Sequence, residues 1–139
     1  VPGAWKRREG DMQAQRLMGE GYEPYVEQQG DRLTYSLPVD SGFVSFNFTF
    51  DLRQTDLDVL LSSDYRRAVL EITAHTLLQH STLKGNDRFT QKDFDNLVAV
   101  TLHASLALLH IFISRVSREH NIAIDHYVEE ILHRRTRRG

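Results

Sequence analysis

The chain has no cysteine, and that absence removes three kinds of chemistry at once. No disulfide scaffold, thiolate metal site or cysteine nucleophile can be built from its 139 residues. Three prolines, eight glycines and one tryptophan leave no low-complexity tract, and the chain shows no internal repeat. Common catalytic signatures are missing too: there is no Gly-x-Ser-x-Gly elbow, Gly-x-Gly-x-x-Gly, Walker loop or His-Glu-x-x-His. No basic-then-apolar signal segment opens the chain, and a reducing, cytoplasmic setting is expected. With Val1 rather than Met first, the expectation is a processed product, an appended segment over Val1 to Asp11 or a non-Met start codon, with Met12 and Met18 as candidate native starts.

Hydrophobic residues make up 40% and charged residues 26%, as in ordinary globular domains. At this length roughly two-thirds of the extended-chain surface can be buried, so one core suffices without metal or cross-link. The formal charge of −2 hides an asymmetry. Lys6, Arg7 and Arg8 crowd one end; Arg134, Arg135, Arg137 and Arg138 crowd the other. The body between them, residues 9–130, carries about −9, a field that favours a basic partner and repels nucleic acid.

Residues 1–10 read as a basic, mobile end, 11–135 as a single domain and 136–139 as a basic tail. A short helix is expected over Asp11 to Met18, ended by Gly19 and Gly21. Tyr22 to Gln28 suits a strand that Pro24 would keep at an edge, and Gln29-Gly30-Asp31 suits a turn. Leu33, Tyr35 and Leu37 alternate with polar residues, and Pro38 to Gly42 reads as a loop. The clearest strand follows: Val44, Phe46, Phe48, Phe50 and Leu52 alternate with Ser45, Asn47, Thr49 and Asp51, which puts the apolar set on one face toward the core. The polar set, with Arg32, Thr34 and Ser36, forms a wet outer face, and an edge strand beside it can accept a partner's strand.

The pattern turns helical at Thr55. Thr55-Asp56-Leu57-Asp58 and Thr90-Gln91-Lys92-Asp93 resemble capping boxes with Asp for Glu, and Ser62 or Ser63 can cap a helix between them. That middle helix ends near Leu83. Gln91 to Glu119 reads as one long helix, and its stretch Leu97 to Ile113 is so apolar that a central core position is expected rather than a membrane span. A last helix runs from Ile124 to Arg135 on an Ile124, Tyr127, Val128 and Ile131 stripe. Strands first and helices after make the fold class α+β. The expected form is an antiparallel β-meander of two to three strands on three to four helices, closing one core around the long helix.

The histidines show no metal spacing. His103 and His110 are about 10 Å apart along a helix, His75 and His80 diverge, and His126 with Glu129 lacks matching carboxylates from other helices. Arg66 and Arg67 can bind a phosphate, or pair with Asp64 or Glu71.

The segment Asp51-Leu-Arg-Gln-Thr-Asp-Leu-Asp-Val-Leu-Leu-Ser-Ser-Asp-Tyr-Arg-Arg-Ala-Val-Leu-Glu, after the Phe-rich strand, resembles small bacterial immunity proteins of contact-dependent growth inhibition and other polymorphic-toxin systems. The resemblance spans about residues 22–118 and has no signature residues to carry over. It implies a non-enzymatic antitoxin that binds a basic toxin domain, often a nuclease. The expected contacts are Asp51, Asp56, Asp58, Asp87, Asp93 and Asp95, acidic residues near element ends and loops. No catalytic residue, metal or cofactor is assigned. Rival readings are a nucleic-acid regulator using the basic ends, a hydrolase or metal enzyme using His75, His103 and His126, and a homodimer completed by the apolar helix.

Overall fold

Alternation of apolar and polar residues from Arg32 onward builds the backbone of the molecule, a long hairpin of β3 (Arg32–Ser41) and β4 (Val44–Leu52). The computed structural model describes residues 13–138; the basic segment 1–10 and the expected helix start at Asp11 lie outside them. Gly42 turns the hairpin at φ +64°, a conformation open to glycine. On one face Leu33, Tyr35, Leu37 and Val39 of β3 are buried. The fold is α+β: two further strands, β1 (Gln15–Met18) and β2 (Tyr25–Gln29), complete an antiparallel sheet in the order β1-β2-β3-β4.

Three expectations about this sheet are corrected. It has four strands, because Gln15–Met18, read as helix, pairs with β2. A helix of about eight residues is marginal in water, and pairing with β2 supplies main-chain partners in its place. Strand β2 is interior, since Pro24 precedes it and leaves its ladders intact. Pro38 lies inside β3: β2 has ended at Tyr25, opposite Ser36, so nothing needs the missing N–H of Pro38 on that side. Gly19 (φ +98°) is required for the β1–β2 turn, because a Cβ there would sit 2.4 Å from the carbonyl oxygen of Pro24.

Five α-helices follow: α1 (Gln54–Ser62), α2 (Asp64–Ser81), α3 (Gln91–Val98), α4 (Leu106–Glu119) and α5 (Ile124–Arg138), with a π-helical turn over Ala99–His103. Ser63 caps α2, its Oγ accepting from the Arg66 N–H. Thr90 and Asp93 cap α3 reciprocally, as expected. The first cap lies two residues upstream of the expected Thr55, with the Arg53 N–H donating to Asp56 at 3.0 Å.

The expected single core is two cores. One lies between the sheet and α1, α2 and α3 with the π turn; the other holds Leu109, Ile113 and Val116 of α4 and Ile124, Val128 and Ile131 of α5 against Ala68 and Val69 of α2. The central helix is therefore α2, buried on both sides through Leu70, Ala74 and Leu78 on one and Ala68 and Val69 on the other. The long helix expected at that place is broken, and its second half lies at the surface. Among the described residues no helix is long and apolar enough to cross a membrane.

Helix α5 also corrects the tail. It runs to Arg138, and Arg135, read as part of a basic end, points inward to pair with Glu23 at 2.7 Å and with Glu71.

Candidate functional site at the interrupted helix

No proline or glycine lies at the break between α3 and α4; a π-helical turn and polar side chains mark it instead. Thr101 donates its hydroxyl to the Leu97 carbonyl at 2.8 Å, a back-bond that Thr73 and Thr76 also make within the unbroken α2, so it does not break the helix alone. Four residues on, Ser105 caps a new helix, its Oγ accepting from the Leu108 N–H, while Ala104 is extended (ψ 164°). Carbonyls at the end of the first segment lose their partners in the next turn. Arg66, from the first turn of α2, replaces them: Nη1 donates to the Thr101 carbonyl at 2.9 Å and Nη2 to that of Ala104 at 2.7 Å. The expected pairing of Arg66 with an acid is thus not what forms; the planar fork of the guanidinium meets two backbone oxygens.

The widened turn sends His103 toward α1, where its Nε2 lies 2.6 Å from Asp56 Oδ1. Asp56 is buried at 3% exposure, so it is corrected from a surface contact to an internal anchor. Burial alone would raise its carboxyl, but hydrogen bonds from His103 and from the Arg53 backbone and side chain, with the Arg53 charge, hold it below the ordinary carboxylate range. A depressed folded value means that this stability is present above the unfolded value of about 4 and is lost as pH falls through the folded one. Asp56→Asn should therefore be less stable than the native chain at pH 7, with the gap closing on acidification. Urea midpoints at pH 7, 4 and 2.5 check this; a gap that stays constant would refute it.

On the other side of the break, α3 and α4 splay around a groove of about 690 Å³. Its lining is mostly apolar (Leu77, Phe89, Leu97, Val100, Leu108 and Ile111), with Asp93 and Asn96 of α3 and Arg115 of α4 as the polar members. Two of the lining side chains, Leu108 and Ile111, are 57% and 66% exposed, and Leu106, outside the lining, is 56% exposed. The low polarity of Leu97 to Ile113, which suggested a core helix, is divided here. Leu109 and Ile113 face inward, and Leu106, Leu108 and Ile111 face solvent.

The other candidate aspartates do not converge. Asp51 pairs with Arg32 at 2.8 Å, Asp58 accepts from Gln54, and Asp95 accepts from Gln91. Asp93 is held below the usual carboxylate range by the Thr90 backbone and side-chain hydrogen bonds, and Asp87 is exposed in the loop before α3. Of the six, only Asp93 lines the groove. The polar sheet face is internally paired, Ser36 with Thr49 at 2.9 Å and Asn47 with the Tyr25 hydroxyl at 3.2 Å.

His75, His103 and His126 have separate surroundings. His126 sits 3.2 Å from Glu130, and His75, lowered by burial, lines a second cavity of about 660 Å³ with His80 and His120. The rings of His80 and His120 meet edge to face at 4.9 Å, a pairing that sequence spacing does not show. Among the described residues no group of three or more His, Asp or Glu side chains is arranged to hold a metal ion. Comparison with protein-family models, curated proteins and solved structures finds no match to this chain.

Proposed function

We propose that this chain is a non-enzymatic binding protein that seats a segment of a partner protein in the groove between α3 and α4. The observation that carries the reading is the pair Leu108 and Ile111, neighbours on one helix face that line the groove and yet stand exposed. Exposed apolar surface rimmed by polar groups is characteristic of interaction sites. The lining suits an amphipathic segment: apolar side chains on the floor, a cation toward Asp93 and an anion toward Arg115. The acidic body would speed encounter with a basic partner. With the resemblance to immunity proteins, this makes a basic toxin domain, met in the bacterial cytoplasm, the first partner to test.

The test is a search of the neighbouring genes for a basic toxin domain, then growth protection on co-expression with that domain and the affinity of the purified pair. Leu108→Asp with Ile111→Asp should weaken binding at least about tenfold. Both residues are solvent-facing, so stability should change by only about 0.5 kcal/mol. Asp51→Asn with Asp58→Asn and Asp87→Asn should instead slow association and flatten its salt dependence. Full protection by the Leu108/Ile111 variant would sink the groove reading. Absence of any complex with the toxin domain would sink the toxin reading.

A further inference from the structure

We propose that the outer edge of β4 pairs with β4 of a second copy of this chain, antiparallel about a two-fold axis at Asn47, to form one continuous sheet across a homodimer. Gln91 shows which way the edge points. Its side-chain amide bonds both backbone groups of Asp51: the Asp51 N–H donates to Oε1 at 2.8 Å, and Nε2 donates to the Asp51 carbonyl at 3.0 Å. Those groups therefore face away from β3. The β3–β4 register is unbroken from Leu33 opposite Leu52 to Ser41 opposite Val44. Backbone direction alternates along a strand, so the N–H and C=O groups of Ser45, Asn47 and Thr49 face outward as well. Among the described residues no strand lies on that side.

Proteins normally blunt such an edge with lysine, proline, a bulge or short length. The opposite edge follows that rule: β1 has four residues and a register shift between Arg16 and Met18. From Val44 to Phe50, β4 has no charge, proline or bulge.

Its sequence also suits a copy of itself. Ser45-Phe46-Asn47-Phe48-Thr49 has nearly the same chemistry read from either end, which a closed two-fold contact requires. With the axis at Asn47, Asn47 meets its own copy and Ser45 meets Thr49 of the second copy. Each pair exchanges N–H···O=C bonds in both directions. Phe46 then lies opposite Phe48 of the second copy in a non-hydrogen-bonded pair, where side chains approach most closely. This accounts for the departure of Phe46 from its expected place in the core: it is 38% exposed, stacked on Phe48 at a ring separation of 5.8 Å. Charge does not oppose the seam, since Asp51 would face the exposed Phe43 of the second copy rather than an acid.

Sedimentation of the full chain across a micromolar concentration series should show a reversible dimer. Asn47→Pro removes an outward N–H and no bond to β3, so dissociation should become at least about tenfold easier with the fold retained by circular dichroism. Asn47→Lys and Asn47→Glu place like charges across the axis, and each alone should weaken the dimer. Mixed in equal amounts they should recover it as a heterodimer. Both variants lack the Asn47 amide that bonds the Tyr25 hydroxyl, so that difference cancels between them. A wild-type monomer throughout the series would overturn the proposal. So would undiminished self-association of the Lys and Glu variants, or a mixture that associates no better than either alone. The Lys/Glu arm decides the matter if the proline variant fails to fold.

Discussion

Arg135→Met should lower the unfolding free energy by about 3–5 kcal/mol, the expected cost of breaking a buried ion pair from one side. Arg135 Nε and Nη2 donate to Glu23 at 2.9 and 2.7 Å, and Nη2 also donates to Glu71. The three side chains are only 10%, 16% and 13% exposed. Burial would lower the Arg135 guanidinium, but the charge and hydrogen bond of Glu71, with those of Glu23, hold it above its ordinary value. Removing it leaves two carboxylates facing each other with little solvent.

Arg67 stands beside this cluster, its guanidinium lowered by burial and then by the Arg135 charge, and its buried Nε has no hydrogen-bond partner. It can take up part of the lost role, which favours the lower end of the range. Denaturant midpoints measure the loss. Adding Glu71→Gln to Arg135→Met should recover about 1–2 kcal/mol, the size expected for coupled neighbours. A loss under about 0.5 kcal/mol, typical of surface positions, would mean that the clamp joining the β1–β2 loop, α2 and α5 contributes little.

Arg66→Met should cost about 2–3 kcal/mol, because two carbonyl oxygens at the helix break lose a charged donor. The side chain is half-buried, so water can reach part of the vacated space and limit the cost. Arg66→Lys should restore less than half, since an ammonium lacks the fork that spans the Thr101 and Ala104 oxygens. Amide exchange should rise locally over residues 99–108, and groove affinity should fall with it, because the break sets the angle between α3 and α4. Stability equal to the native chain in both variants would show that Arg66 does not hold the break.

The fold class and the order of elements were legible because they rest on local rules. Leu33, Tyr35 and Leu37 alternate into the core as their spacing demands. Ser63 and the Thr90–Asp93 pair cap helices where short polar side chains meet free N–H groups. Phe50 and Leu52 are buried as expected, but Val44 at 53% exposure overhangs the helical layer, so strand period predicted a face and not a depth. The candidate site was less visible. Asp93 was identified for its charge and does line the groove. The groove itself was hidden inside a segment whose uniform apolarity looked like a core helix. Only Ser105, a capping residue within an apolar run, signalled the break, and one serine rarely interrupts a helix unaided.

By itself, the sequence determined the α+β class, the alternating face of the hairpin, two of the helix caps and the acidic body. Each depends on residues within about four positions of one another or on composition alone. Tertiary structure decided that β1 is a strand, that α2 rather than the greasiest segment is central, and that α4 turns Leu108 and Ile111 outward and Leu109 inward. It also joined residues 35 and 38 positions apart at the Arg66 fork, 47 apart at His103–Asp56 and 112 apart at Arg135–Glu23. Such pairings form only after loop closure and packing have brought distant segments together, and no local pattern encodes which of several arginines will meet which carbonyl or acid.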